Sequence, residues 1–348
     1  MVSLSIVIPV YNAELYIRRC LDSITSQEGD GLVLECILVD DCGTDNTMSV
    51  ISDMVENYSG NVRFCVLHQS HNQGVSKARN SGLIHATGDY VLFVDADDYL
   101  MPGSLRCFVE HLHLFPEADV VMGNVRNGKD GSMMFQELNA PLLLTDANKI
   151  LQMTLRRQLY LQSWNKCIRR DILLANKILF PEGIIYEDEW WSYRLMSCVS
   201  SVLLLPQITY YYEVNDQSIV NTSFTEEKRN HVVASYLTLV RLLMDNPPAS
   251  KLLIADYLLF QGNILARAFD VLSYGCRREY YEDWQNVRWR LVMTVWHECQ
   301  IAIVLFMFVS LYSPMAHLKR WAWYRHHFYQ FERAVGKLAH MTDFLYVN

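Results

Sequence analysis

Near the N-terminus, Ser5-Ile-Val-Ile-Pro-Val10 runs without a polar face. A strand with one side in water alternates apolar and polar residues. A continuous apolar run needs cover on both sides, as in a parallel sheet flanked by helices. The residues that follow supply that cover. Asn12 can cap a helix, with Glu14 in its first turn, and Ile17, Cys20, Leu21 and Ile24 repeat at helical spacing. A second strand runs from about Leu34 to Val39, and the helix after Asp45 turns Val50, Ile51, Met54 and Val55 inward. A third strand covers about Val62 to Leu67, a third helix Val75 to His85, and another strand Tyr90 to Val94. Pro102 suits a first helical turn. Leu105, Phe108, Val109 and Leu112 form the next apolar face, and Asp119 to Met122 reads as one more strand. This alternation predicts an α/β fold: a doubly wound, mostly parallel sheet whose ligands sit beyond the carboxyl ends of the strands.

Residues 124–139 are polar and glycine-bearing and read as a loop or excursion. Trp164-Asn-Lys166 reads as a loop entering a helix from Arg169 to Leu174. Past Glu226 helical patterns continue to the end, broken at Asn246-Pro247-Pro248, Ser273-Tyr274-Gly275 and Ser313-Pro314. A boundary near residue 222 therefore separates an α/β part, 1–222, from a helical C-terminal region, 223–348.

With 51% hydrophobic and 20% charged residues in 348, a large core is available and disorder is not expected. The net charge of -8 argues against nucleic acid as a partner. That charge is uneven. Residues 276–348 hold nine Lys/Arg and six Asp/Glu, a net of +3, so the rest carries -11. The run Ile301 to Tyr312 is shorter than the roughly 20 residues that span a bilayer. It reads as a buried helix or dimer contact or, with Lys319, Arg320, Trp321, Trp323 and Arg325 behind it, as an interfacial helix. The nine cysteines form no C-x-x-C pair, and no signal peptide is readable. Reduced thiols and a cytoplasmic place, peripheral at the inner face of a membrane if the C-terminal region docks there, are the expectation.

Three acidic clusters fall where chemistry belongs. Asp40-Asp41 closes the second strand, Asp95-Ala-Asp97-Asp98 closes Tyr90 to Val94, and Glu187-Asp188 opens a helix carrying Trp190 and Trp191. Carboxylates gathered at one sheet edge repel each other unless a cation or a donor-rich ligand lies among them. A hard divalent ion such as Mg²⁺ or Mn²⁺ suits oxygen ligands and binds through one or two carboxylates plus substrate phosphates. Asp95-x-Asp97 offers such a pair. Aspartates also cap helices and fill turns, and Asp98 ahead of Pro102 fits that simpler role.

These clusters lie among further motifs in register: Ser5-Ile-Val-Ile-Pro-Val-Tyr-Asn12, Ile37-Leu-Val-Asp-Asp41, Gly43-Thr-Asp45, His71-Asn-Gln-Gly74, Ala78-Arg-Asn80, Gly82, Ala86-Thr-Gly-Asp-Tyr90, Phe93-Val-Asp-Ala-Asp-Asp98, Trp164-Asn-Lys166 and Glu187-Asp188. Over roughly residues 1–220 the chain resembles family 2 of the inverting glycosyltransferases, whose fold is the GT-A type. The resemblance implies that Pro9 and Tyr11 pack the nucleotide base and that Asp41 accepts from a uracil imide N–H. It implies that Arg79 approaches the base or a phosphate, that Asp95 is the ribose- and metal-side carboxylate, and that Asp97 ligates Mn²⁺ or Mg²⁺ directly. Asp188 matches the catalytic base, with Glu187 beside it. One departure stands out: Cys42 occupies a usual glycine position, and Gly43 is left to supply any unusual φ in that turn.

The chemistry agrees with the resemblance. A sugar–phosphate bond breaks when charge on the leaving diphosphate is neutralised. The acceptor hydroxyl needs a base within hydrogen-bond reach. A carboxylate opposite the leaving group allows in-line displacement with inversion. The expected partners are a nucleotide-sugar donor, UDP-linked in its chemistry, and a glycan or lipid-linked glycan acceptor in surface or capsular polysaccharide synthesis. Oligomerisation stays open. Trp190 can stack on a sugar face, whereas Trp191 reads as core. Trp164 and Lys166 lie either near the acceptor or in a structural tie. A sugar-nucleotide pyrophosphorylase would need a glycine-rich basic loop after the first strand, and Pro9-Val-Tyr-Asn-Ala-Glu14 is neither. The remaining alternative is a catalytically degenerate carbohydrate-binding or scaffold protein; the presence of Asp41, Asp95, Asp97 and Asp188 argues against it.

Overall fold

The computed structural model describes residues 2–27, 29, 32–133, 138–215 and 225–250, with scattered positions from 253 to 271. The apolar run 301–312, the basic aromatic stretch after it and the breaks near 274 and 313 lie outside the described residues.

The first strand, β1 (Val2–Val10), is followed by α1 (Ile17–Thr25), β2 (Leu32–Asp40), α2 (Thr47–Glu56), β3 (Arg63–His68), α3 (Val75–His85) and β4 (Tyr90–Phe93). These are the alternating elements that the apolar runs predict. β1 pairs parallel with β2 and with β4, and β2 pairs parallel with β3. Leu4, Ile6, Val7, Ile8 and Val10 are at most 1% exposed, so β1 is covered on both faces. One cover is α3. A side chain at Gly82 would put its Cβ 2.3 Å from a Val7 methyl, so only glycine lets this helix lie so close to the strand.

Beyond β4 come β5 (Tyr99–Leu100), α4 (Ser104–Leu114), β6 (Val120–Asn127), β7 (Leu142–Leu144), α5 (Ala147–Leu155), β8 (Lys166–Arg169), α6 (Arg170–Ala175), α7 (Glu187–Met196), β9 (Val202–Tyr212) and α8 (Glu226–Asp245). The strand order is β3-β2-β1-β4-β8-β6-β9-β5, with β7 also on β9. β8 runs antiparallel to both β4 and β6, whereas β6 and β9 are parallel. Of the segment 164–166 read as a loop, Lys166 opens a central strand that runs to Arg169, so the helix expected from Arg169 begins at Arg170, and the loop expected from 124 begins only after β6 ends at Asn127. The long β9 carries Pro206 inside a register shift against β6, where a missing N–H need not break the ladder. No helix among the described residues is long and apolar enough to cross a membrane.

Asn12 does not cap α1. Its backbone is left-handed (φ 48°), and its side-chain oxygen accepts the Thr44 N–H at 2.7 Å instead. Glu14 also reaches across, accepting from the Asn46 N–H at 3.1 Å, while the Glu14 N–H donates to Asp45 Oδ2 at 3.0 Å. The Ala13 N–H donates to the Thr47 hydroxyl at 2.8 Å. The loops after β1 and β2 therefore cap each other.

Candidate active site

The carboxylates lie where the sheet rule puts them, past the ends of β2 and β4 and at the start of α7. Arg79 joins two of these groups. Its side chain, on α3, is 4% exposed. One arm of the guanidinium, Nη2, donates to Asp95 Oδ1 at 2.8 Å, and the other, Nη1, donates to Glu187 Oε1 at 2.7 Å. Asp188 Oδ1 lies 3.8 Å from Nη1. A buried cation is tolerated when its forked donors meet carboxylates, and this one meets two directly. The expectation that Arg79 approaches a base or phosphate gives way to a different geometry: both ends of its fork are occupied by protein.

Asp188 Oδ1 finds no hydrogen-bond partner among the described residues. Burial pushes its carboxyl up to about 7; Arg79 opposes that rise, and the charges of Glu187 and Asp95 add to it. The side chain keeps 22% of its surface exposed. An aspartate of this kind takes up and releases a proton near neutrality, as a general base must.

On the Asp95–Asp98 turn the three aspartates differ. Asp98 is fully buried, accepting from the Tyr210 hydroxyl at 2.7 Å and the Glu213 N–H at 2.7 Å. It is structural, the simpler of its two readings. The Asp95 N–H donates to the same Tyr210 hydroxyl at 3.1 Å, so β9 fixes the turn. Asp97 is raised by burial and by the neighbouring Asp95 charge, and its carboxylate receives the Asn215 amide at 3.2 Å. Arg19 braces the turn from outside, donating to the Asp97 carbonyl at 3.2 Å, pairing with Glu213 at 2.7 Å and lying over Tyr99. Among the described residues no group of three or more His, Cys, Asp or Glu surrounds a common point as a self-sufficient metal site. The hard oxygen donors of Asp95 and Asp97, with Arg79 spent on Asp95 and Glu187, leave negative charge that fits a divalent cation completed by phosphate oxygens.

Tyr11 is 51% exposed at the end of β1, with Pro9 partly exposed before it, so the ring is open to a stacking partner. Asp41 is only 3% exposed, and its oxygens accept the Gln73 N–H at 2.7 Å and the Gly74 N–H at 2.9 Å. It ties down the turn into α3, which amends its reading as a group waiting for a base. Asp40 binds His68 Nδ1 at 3.0 Å. The unusual φ of the following turn falls on Cys42 (58°) and not on Gly43. The Cys42 thiol donates to the Gln69 carbonyl at 2.9 Å, which helps hold it there. Gly43 serves close approach: a Cβ there would sit 3.1 Å from the Asn12 nitrogen.

Of the acceptor-side candidates, Trp164 and Lys166 take the structural of their two readings. Trp164 is 2% exposed, stacked on Tyr210 at 4.8 Å and on Tyr160 at 5.4 Å. It forms the wall behind the acidic turn and meets no acceptor. Lys166 is fully buried; its amine donates to the Gln162 carbonyl and lies 4.1 Å from the Tyr160 ring centroid. Desolvation holds that amine well below the usual lysine range. Trp190 sits two residues past Asp188, roughly 200° around the helix, against Tyr193 and under Arg194. Trp191 is core as expected, stacked on Phe180 at 4.6 Å. Sequence reasoning missed Tyr210, Asn215 and Arg19. The first two required β9 to be recognised, and its aromatic end, Tyr210-Tyr-Tyr212, was the available signal.

Residues 5–173 match the family described as glycosyl transferase family 2. The chain is 30% identical over 246 residues to YibD of Escherichia coli K12, called an uncharacterized glycosyltransferase, covering 69% of this chain and 70% of that one. It is also 30% identical over 220 residues to TarS of Staphylococcus aureus, a poly(ribitol-phosphate) beta-N-acetylglucosaminyltransferase, over 61% of this chain but only 35% of TarS. The crystal structure of S. aureus TarS 1-349 with UDP-GlcNAc superposes with a TM-score of 0.63 at 22% identity, covering 83% of this chain and 80% of that one, and so shares the GT-A fold. With its sheet, its motifs and these relatives together, the chain belongs to glycosyl transferase family 2.

Proposed function

We propose that this glycosyltransferase moves a sugar from a UDP-sugar to a hydroxyl of a surface or capsular polysaccharide, or of another free or lipid-linked glycan, with inversion at the anomeric carbon. The observation that carries the reading is the buried Arg79 bridge. One guanidinium holds the donor-side carboxylate Asp95 and the start of the helix that bears Asp188. That fixes the distance between leaving-group and nucleophile sides without help from a ligand, and preorganisation of this kind lowers the barrier.

In this mechanism Tyr11 stacks on the base and the Gln73–Gly74 turn, held by Asp41, forms the pocket floor. Asp97 and Asp95 would hold Mn²⁺ or Mg²⁺, with the donor diphosphate completing the site. When bound, the cation supplies charge neutralisation to the departing nucleotide. Asp188 accepts the proton of the acceptor hydroxyl as its oxygen closes on the anomeric carbon. With a carboxyl raised to about 7, the rate rises with pH through neutrality and falls below it, where the base is already protonated.

Two relatives support the acceptor class by their names, TarS and a poly(ribitol-phosphate) beta-glucosyltransferase of Bacillus spizizenii that is 32% identical over 216 residues. A thermal-shift screen of nucleotide sugars with and without Mn²⁺ tests the donor. A ligand at 100 times its Kd stabilises by about 2.7 kcal/mol. Stabilisation by UDP-sugars that needs the cation is expected. If no nucleotide sugar stabilises the chain and none is hydrolysed, the proposal fails.

A further inference from the structure

The segment 181–186 delivers the chain to Asp188, and its anchors come from α8. The Ile185 N–H donates to the Ser235 hydroxyl at 3.0 Å, and Ser235 is fully buried. The Tyr186 ring stacks on Tyr236 with centroids 4.9 Å apart and planes 6° from parallel. Tyr186 holds a left-handed backbone, φ 65°, at the residue that caps α7. A bulky residue in that region costs about 1–2 kcal/mol and persists only where the surroundings impose it. The surroundings here are Tyr236 and Ser235. His231, one turn earlier on α8, reaches the Gly183 carbonyl at 3.2 Å.

A second grip comes from further along the C-terminal region. Glu189, next to Asp188, has a side chain 8% exposed, bound by Arg157 at 2.9 Å and by Arg267 at 3.1 Å. The first turn of α7 is thus held from the loop side by α8 and from the helix side by Arg267. The Tyr236 hydroxyl is engaged by Arg267 and Tyr186 and the Ser235 hydroxyl by the Ile185 N–H, so both are taken up within the protein.

We infer that α8 is a positioning element for the proposed base, acting through the Tyr236–Tyr186 stack and the Ser235–Ile185 hydrogen bond to set where Asp188 meets the acceptor. This rests on the assignment of Asp188 in the preceding section. It gives the helical C-terminal region a share in the chemistry of the α/β part. None of these α8 contacts is made with Tyr11, Asp95 or Asp97. Asp95 meets the first turn of α7 only through Arg79, and its own turn is fixed separately by Tyr210, so the main effect falls on the acceptor step.

The test uses the full chain with Tyr236→Ala, Tyr236→Phe and Ser235→Ala. UDP binding with Mn²⁺ is measured by calorimetry, donor turnover by UDP release, and amide exchange is followed across 181–190. Expected for Tyr236→Ala is a fall in kcat of about 10- to 100-fold, the scale of a misplaced reacting group, with UDP affinity within about twofold. Tyr236→Phe, which keeps the stack, should recover kcat to within about threefold. Ser235→Ala, the gentler change, should lower kcat in the same direction. Faster exchange of Ile185 to Glu189 in Tyr236→Ala, with β1 and β4 still protected, supports the inference whether or not turnover can be measured. Unchanged exchange in that segment overturns it, as does wild-type kcat in both Tyr236→Ala and Ser235→Ala. Loss of kcat and UDP affinity together, without rescue by phenylalanine, also overturns it. Failure of the wild type to bind UDP or release it from any donor would strike the transferase reading instead, and the exchange result would still decide the positioning claim.

Discussion

Replacing Asp188 with asparagine should make the protein more stable and less active at once, and the two effects can be separated by pH. In the folded chain the carboxyl is raised from an ordinary 3.8 to about 7, chiefly by burial. An acid raised in this way favours folding most when protonated. Its stabilising proton is retained below the unfolded value, and the advantage is lost as pH climbs from about 4 to the folded value. Above that the folded protein bears the full cost of a desolvated carboxylate. Over roughly three pH units at 1.36 kcal/mol each, the ceiling is about 4 kcal/mol. Asparagine keeps the shape and carries no charge to desolvate, and Arg79 retains Asp95 and Glu187. Asp188→Asn should therefore match wild type in stability near pH 4 and exceed it progressively up to pH 8, read as Tm or denaturation midpoint. Turnover should fall by about 10²- to 10⁴-fold, the usual worth of a positioned base, with UDP affinity nearly unchanged. A stability difference that is flat with pH, or a variant less stable than wild type at pH 8, would refute the burial argument. Wild-type kcat would remove Asp188 as the base.

Three further outcomes follow from the same geometry. Asp97→Asn should abolish Mn²⁺-dependent UDP binding by calorimetry while Tm changes little; equal affinities would take Asp97 out of the metal site. Arg79→Met leaves the buried Glu187 and the partly buried Asp95 without their cation and should cost about 3–5 kcal/mol together with both donor affinity and turnover, checked by denaturation and UDP titration. Trp164→Ala removes a ring stacked between Tyr210 and Tyr160 and should cost about 3–5 kcal/mol; an acceptor KM that rises without loss of stability would restore the acceptor-side reading of Trp164.

How far the sequence could be read depended on where each residue's partner lies. β1 to β4 and β6 declare themselves, because strands covered on both faces must be apolar throughout. β8 is four residues long and follows Asn165, whose φ of 56° and buried amide are set by Gly123 and Asn124; nothing within the segment itself distinguishes it from a loop. Asp95, Asp97 and Asp188 are legible as carboxylates at strand and helix ends. The role of Arg79 is not, since its partner Glu187 is 108 residues away. Nor is the burial of Trp164, which depends on tyrosines of a strand that starts at Val202. Asp41 illustrates a subtler limit: residue type and position point to a ligand contact, while the fold also recruits it to hold the Gln73 and Gly74 N–H groups.

The mutual capping of the loops after β1 and β2 bears on how the proposed nucleotide floor comes into being. Asp45 caps the start of α2 by accepting the Thr47 N–H, but most polar groups just ahead of the two helices are met by the other loop, through Asn12, Glu14, Asp45 and Thr47. Each loop thus lacks several of its hydrogen-bond partners until the other is in place. Tyr11, carried by the first loop, and Asp41, at the root of the second, gain their places in a single cooperative event. In native-state exchange the amides of Ala13, Glu14, Thr44 and Asn46 should open with one common free energy, and a lesion in either loop should lower all four together.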